Sequence, residues 1–323
     1  MKCTNKNIIF TIIITAVLLT GCGYKYNNPY TADSSISSFC MLNFQNSEEK
    51  IDSFAKKLCI VSSDVDANSI ESSNTTGAAL FDLKNHDTIY AKNAHERIYP
   101  ASLTKIMTFI VAIKNGDPSA TLTATSNVYI NDYAAQKIEL NEGDQMTLEQ
   151  ALNIMLIYSA NDVANLVAEG VGGSIDNFVA MMNEEAIRLG CTETHFVNAN
   201  GLTNEEHYTT PYDLYLMMNE AIQFDLFNNI IGKDLYETTF YNVAGNEKKI
   251  SVESTNLYLI GKESAPGGIT VIGGKTGTTS AAGHCLVLLS RDVSNNNYIS
   301  IVMRSDTRND LYKIMNSMLS KVG

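Results

Sequence analysis

The sequence predicts an α+β protein: one antiparallel sheet, built from both chain ends and flanked by helices, with an inserted all-helical lobe. Three observations predict it. Runs with strand character occur near both ends of residues 51–323, at 76–94 and again after about residue 225. The stretch between them carries apolar residues at helical spacing. The late strand-like runs are joined by short polar turns, which favours antiparallel pairing over the long crossovers that parallel strands need. With 323 residues, 45% hydrophobic and 18% charged, the chain is long enough to bury such a core.

Each element has its own signal. Residues 76–94, TGAALFDLKNHDTIYAKNA, read as two strands around the polar turn Lys84-Asn85-His86-Asp87. Over 102–114, Leu103, Ile106, Met107, Ile110 and Val111 recur on one helical face. Pro100 precedes that helix and Asn115-Gly116 follows it as a stop. Thr147 and Gln150 form a capping-box pattern ahead of Leu148, Ala151, Leu152 and Met155. Further helices are expected over 162–169, 175–189 and 211–223, with Met181-Met182 and Met217-Met218 as core residues. ETTFYNV and KKISVEST flank Ala244-Gly245-Asn246, a hairpin signal. GITVIGGKTGT, HCLVLLS and YISIVM supply the remaining strands, and a last helix is expected over 309–319. There is no internal repeat, and no second domain is expected after that helix. Residues 22–50 read as a tether, with a short helix over 47–58.

Three short patterns can carry chemistry. Ser102 and Lys105 are three apart, so on a helix they share a face, opposite Leu103, Ile106 and Met107. Ser102 would also lie in the first turn, where free N–H groups favour a developing oxyanion. A serine needs an adjacent base, and a lysine serves when burial or a nearby cation lowers its pKa. Alone, S-x-x-K is a common pattern on an ordinary helix. Ser159-Ala-Asn161 lies at a break between two apolar helical runs. On extended backbone the two side chains would point the same way; the plainer reading is a helix N-cap. Lys275-Thr276-Gly277-Thr278 reads as a strand edge that offers a cation, a hydroxyl and a close-approach glycine to an extended ligand. It is not a P-loop: Ile269 stands where the first glycine is required, and a strand follows rather than a helix.

Together, S-x-x-K, S-x-N and K-T-G in this order form the set shared by penicillin-binding proteins and class A β-lactamases. RIYPASLTKIMT, LIYSANDVANLVAE, THFVNANGLTNEEHYTTPYDLYLM and GGKTGTTSAAGHCLV extend the likeness. Over roughly residues 70–320 the chain resembles the serine-type D-Ala-D-Ala carboxypeptidases, the low-molecular-mass penicillin-binding proteins. The resemblance implies that Ser102 is the acylated nucleophile and Lys105 its general base. It implies that Ser159 relays a proton to the leaving amine, while Asn161 holds the substrate amide and orients Lys105. Lys275 would add positive potential, Thr276 would bind the terminal carboxylate, and the N–H groups of Ser102 and Thr278 would form the oxyanion hole. Arg308 is the better candidate for a carboxylate-binding arginine, with Arg304 as competitor. His207 and Tyr208 lie in a family segment read as structural. The resemblance further implies that β-lactams acylate the same serine.

Class A β-lactamases add E-x-x-L-N between the second and third motifs. Here Glu149-Gln-Ala-Leu-Asn153 precedes Ser159, so Glu149 reads as a solvated helix residue. The five histidines have no metal-ligand spacing and no C-x-x-C occurs, which disfavours a zinc peptidase. No cofactor is expected. A net charge of −12 argues against a nucleic-acid partner.

The N-terminus reads as an export signal: Lys2 and Lys6, an apolar run from Ile8 to Leu19, then Leu19-Thr-Gly-Cys22. Those last residues resemble the lipobox of bacterial lipoproteins. That likeness implies cleavage after residue 21 and a lipid on Cys22. Relatives commonly carry a C-terminal domain; the N-terminal lipid is expected to replace a C-terminal anchor here. Of the other cysteines, Cys3 falls in the signal, and Cys40, Cys59, Cys191 and Cys285 are scattered, with buried free thiols the simpler expectation. The expected protein is a lipid-anchored D,D-carboxypeptidase acting on peptidoglycan stem peptides. The alternatives are an endopeptidase or transpeptidase acting on cross-links, and a catalytically idle wall-binding lipoprotein.

Overall fold

The computed structural model describes residues 57–322. The expected signal, Cys22, Cys40, the tether and residues 47–56 of the expected short helix lie outside these. In chain order the elements are β1 (Thr75–Asp82), β2 (Asp87–Lys92), α1 (Lys105–Asn115), β3 (Thr121–Thr123), β4 (Gln145–Thr147), α2 (Leu148–Ile157), α3 (Asn161–Gly172), α4 (Ile175–Leu189), α5 (Pro211–Ala221), α6 (Asp225–Ile231), β5 (Leu235–Tyr241), β6 (Glu247–Glu253), β7 (Thr270–Thr279), β8 (Gly283–Arg291), β9 (Asn297–Ser305) and α7 (Arg308–Leu319).

The main sheet is antiparallel, in the order β2-β1-β9-β8-β7. Strands from both ends of the described chain therefore build it, as the sequence predicts. Its pleat sorts side chains to two cores. Ala79, Phe81, Val287, Leu289, Ile299 and Ile301 face the inserted lobe, where Phe81 stacks on Tyr215 of α5 with ring centroids 4.2 Å apart. Ala78, Leu80, Leu286, Leu288 and Val302 face Leu311, Ile314, Met315 and Met318 of α7. Because both faces are covered, β1, β8 and β9 are buried almost without interruption.

The inserted lobe is mostly helical but not all-helical. A second antiparallel sheet, β3-β4-β5-β6, belongs to it. The hairpin at 235–253 forms as predicted, yet it pairs with this small sheet through Gln145↔Tyr241 rather than with the main one. β3 and β4 are three residues each, too short to show a period of two. The capping box at Thr147 and Gln150 is present and starts α2 directly after β4.

α1 is the axis of the lobe. Its residues Lys105 to Ala112 are all buried. Ser102 precedes it in a 3-10 turn, Ala101–Thr104, rather than in its first α-helical turn. Ala101, at the start of that turn, has a left-handed φ of +48, which regular α-helix does not admit, and the Thr104 hydroxyl bonds back to the Ala101 carbonyl (2.8 Å).

Candidate active site

The sharpest geometry in the molecule surrounds Lys105. The 3-10 turn eclipses residues three apart, so Ser102 lies over Lys105, and Lys105 Nζ is 2.9 Å from Ser102 Oγ. The same nitrogen donates to Asn161 Oδ1 (2.8 Å) and to the Asn200 carbonyl (2.6 Å). Burial pushes the Lys105 ammonium well below the usual lysine range; the Lys275 cation adds to this and Asp162 opposes it. A neutral amine has two N–H donors and one lone pair. The Asn161 and Asn200 oxygens can accept but not donate, so they take both N–H groups. The lone pair is then left for the Ser102 O–H, the arrangement of a general base on its nucleophile.

The surrounding elements hold this in place. Asn161, the first residue of α3, donates from Nδ2 to the Gln136 carbonyl at 3.1 Å, which turns Oδ1 toward Lys105. Asp162 accepts backbone N–H groups of Ile138 and Leu140, tying that loop to α3. The Thr108 hydroxyl, one turn along α1 from Lys105, grips the Ala199 carbonyl at 2.6 Å. The segment 198–202 folds around Asn198 Oδ1, which accepts from Gly201 N–H at 2.7 Å. Gly201 has φ +89, and a Cβ there would sit 1.9 Å from the Ala101 carbonyl oxygen. Gly201 thus lets this segment press against the nucleophile turn.

His207 is buried beneath that turn. Its Nδ1 accepts from Val197 N–H, so Nε2 carries the hydrogen and donates to Thr104 Oγ1 at 2.8 Å. Burial is the main cause that lowers its pKa to about 3, which keeps it neutral.

Ser159 is where the extended-backbone expectation fails. It has φ +70, a left-handed conformation rare for serine, and Ala160 rather than Ser159 or Asn161 is the N-cap of α3. Ser159 and Asn161 therefore reach different lysines. Ser159 Oγ accepts from Lys275 Nζ at 2.8 Å, while Asn161 takes Lys105. Lys275 is buried, and burial lowers its pKa to about 7.

Lys275, Thr276, Gly277 and Thr278 lie on β7, the edge strand of the main sheet, whose open side faces the nucleophile turn. A Cβ on Gly277 would stand 3.0 Å from both the Pro100 carbonyl and the Ser102 nitrogen. That close approach sets the Ser102 amide against β7. Between the turn, α3 and β7 runs a cleft of about 880 Å³, lined by Ser102, Ser159, Asn161, Thr276, Thr278 and Arg308 among others. Arg304 does not line it; its backbone N–H donates to Cys285 Sγ. Glu149 is exposed, as expected. Cys59, Cys191 and Cys285 are buried free thiols.

Sequence reasoning missed four participants: the Asn200 carbonyl, Gly201, Gln136 and Thr255, whose hydroxyl meets that of Thr276 at 2.5 Å. Carbonyls carry no side-chain signal. The Asn-Gly pair at 200–201 was the available hint of a tight turn.

The profile of the D-alanyl-D-alanine carboxypeptidase family, Peptidase_S11, matches residues 64–307. The chain belongs to the D-alanyl-D-alanine carboxypeptidase family. It is 32% identical over 234 residues to D-alanyl-D-alanine carboxypeptidase DacF of Bacillus subtilis, covering 71% of this chain and 57% of that protein. It is 28% identical over 244 residues to D-alanyl-D-alanine carboxypeptidase of Streptomyces sp. (strain K15), covering 71% of this chain and 81% of that protein. The crystal structure of the Streptomyces K15 DD-transpeptidase superposes with a TM-score of 0.69 at 26% identity, covering 80% of this chain and all of that one. The match thus spans little more than half the length of the Bacillus relative, 57%.

Proposed function

We propose that this protein is a serine D,D-carboxypeptidase that removes the terminal D-Ala from peptidoglycan stem peptides. The observation that carries this reading is the bonding of Lys105, whose lone pair is directed at Ser102 while two fixed acceptors take its N–H groups. Lys105 takes the Ser102 proton as Oγ attacks the carbonyl carbon between the two D-Ala residues. The oxyanion is held by the N–H groups of Ser102 and Thr278. The proton then passes by way of Ser159 to the leaving nitrogen, and D-Ala departs. Water attacks the resulting ester carbonyl and gives a proton to Lys105; the bond between Ser102 Oγ and the acyl carbon breaks, Lys105 returns the proton to Oγ, and the shortened peptide leaves with a new carboxylate. Thr276, Thr278 and Arg308 bind the terminal carboxylate, the buried Lys275 adds positive potential beneath them, and the peptide extends along the open edge of β7. β-Lactams, which also present a carboxylate beside an acylating carbonyl, react with Ser102.

A second reading, transfer of the acyl group to an amine of another stem peptide, is favoured by one observation: the Streptomyces relative is called a carboxypeptidase in one context and a DD-transpeptidase in another. The difference lies in which nucleophile ends the reaction. The test is incubation with a D-Ala-D-Ala-ended peptide, with and without an amine acceptor. D-Ala release with a shortened peptide supports hydrolysis; a peptide–acceptor adduct at water's expense supports transfer; neither product removes the reading and leaves an idle wall-binding protein.

The protein acts outside the cytoplasmic membrane, held there by a lipid on Cys22 after cleavage of residues 1–21. The apolar run ending in Leu-Thr-Gly-Cys22 supports this. Cys22→Ala should yield a soluble product; continued membrane association would count against the lipid.

A further inference from the structure

His284 lies on β8 directly opposite Thr278 of β7 and borders the cleft together with Arg308. Its Nδ1 is 3.3 Å from Thr278 Oγ1, just beyond the usual hydrogen-bond range and within reach of a small side-chain rotation. Its neighbour on the other side is Ser305 of β9. The charged group facing it is Arg308, at the start of α7; Tyr312 of the same helix also lines the cleft, and burial raises its phenol, so it stays neutral. Burial, then Arg308, lowers the His284 pKa.

We propose that His284 is a positioning residue that sets the direction of the Thr278 hydroxyl bond and so makes recognition of the substrate's terminal carboxylate pH-dependent. This rests on the carboxypeptidase reading above. When Nδ1 has no hydrogen it accepts the Thr278 proton, and the hydroxyl then turns lone pairs toward an arriving carboxylate. When Nδ1 carries a hydrogen it donates to Oγ1, and the Thr278 proton is free for the carboxylate. The imidazolium has no other arrangement, because both of its nitrogens donate. It also adds a positive charge beside Arg308, strengthening the carboxylate bond. Carboxylate binding therefore favours protonated His284, and affinity for it rises as pH falls through the histidine range.

The test compares kcat/KM for an acyl-D-Ala-D-Ala peptide with that for the same peptide amidated at its C-terminus, from pH 5 to 8. Release of D-Ala or of its amide is the readout. Lys105 serves both substrates, so its titration cancels in the ratio. Lys275, buried behind Ser159, also titrates near this range, and its contribution is common to wild type and variants. In the wild type the preference for the free carboxylate should rise about fivefold to tenfold toward pH 5, carried by KM rather than kcat. In His284→Phe this increment should be lost. In His284→Asn, which keeps a donor to Thr278 but does not titrate, the preference should partly return without its pH dependence. The same pH slope in wild type and His284→Phe overturns this role while leaving the carboxypeptidase reading standing. No release by the wild type from either substrate at any pH overturns both.

Discussion

Lys105 and Lys275 are both buried behind Ser102 and Ser159, which line one cleft, and burial first and the Lys275 charge second hold the Lys105 ammonium well below the usual lysine range. Ser102 sits on one of these lysines and Ser159 on the other. Keeping both of these buried lysines charged, with no carboxylate in contact among the described residues, would be costly to the fold. The same cost favours the neutral amine that a general base requires.

Removing one of these charges tests the coupling. Lys275→Gln deletes the cation that lowers Lys105, so the Lys105 pKa should rise. Activity requires neutral Lys105 and increases as pH rises through its pKa. The rising limb of the acylation profile should therefore move to higher pH, and acylation at pH 7 should fall at least about tenfold. A limb that stays in place would show that burial alone sets the pKa.

Lys105→Ala removes the base and should slow acylation by about 10²–10⁴-fold. The variant should keep a native far-UV circular dichroism spectrum, because the lysine lies at the start of α1 and Ala favours helix. The unpaired oxygens of Asn161 and Asn200 should cost about 1–3 kcal/mol in urea unfolding.

Gly201→Ala combines a positive φ with a Cβ placed 1.9 Å from the Ala101 carbonyl. The 198–202 segment and the nucleophile turn must separate. A loss of about 2–4 kcal/mol in stability is expected, with acylation lost out of proportion to it. Gly277→Ala, whose Cβ contacts start at 3.0 Å, should be milder in stability yet still impair acylation.

His207 links stability to pH. Its folded pKa, about 3, lies below its ordinary 6.5, so the unfolded chain binds the extra proton first as pH falls. The contribution is fully present above about pH 6.5 and is lost as pH falls toward 3, by about 3–5 kcal/mol at the limit. Thermal unfolding between pH 7 and 4 should show a smaller decline in His207→Gln than in the wild type, from a lower starting Tm.

Most of the site was legible because it rests on side chains with a spacing. Ser102 and Lys105 were expected on one face, and the tighter 3-10 turn aligns them more closely than the α-helix that was predicted. Ser159 was harder to read. Its left-handed backbone lies at the junction of α2 and α3, and nothing in Ser-Ala-Asn signals a positive φ. The Asn200 carbonyl, which completes the Lys105 coordination, has no residue-type signature at all. In the fold, β1, β8 and β9 are evident as strand-like runs bounded by polar turns, while β3 and β4 become strands only through pairing with their neighbours. The hairpin at 235–253 could be recognised locally, but local pattern does not say which sheet a hairpin joins.

The central claim is that Ser102 is the nucleophile and Lys105 its base. Peptide mass spectrometry after incubation with labelled penicillin tests it most directly. The account predicts one covalent adduct, on the peptide containing Ser102, formed rapidly in the wild type and lost or slowed at least about a hundredfold in Lys105→Ala. An adduct on another residue, or an unchanged rate in Lys105→Ala, would contradict it.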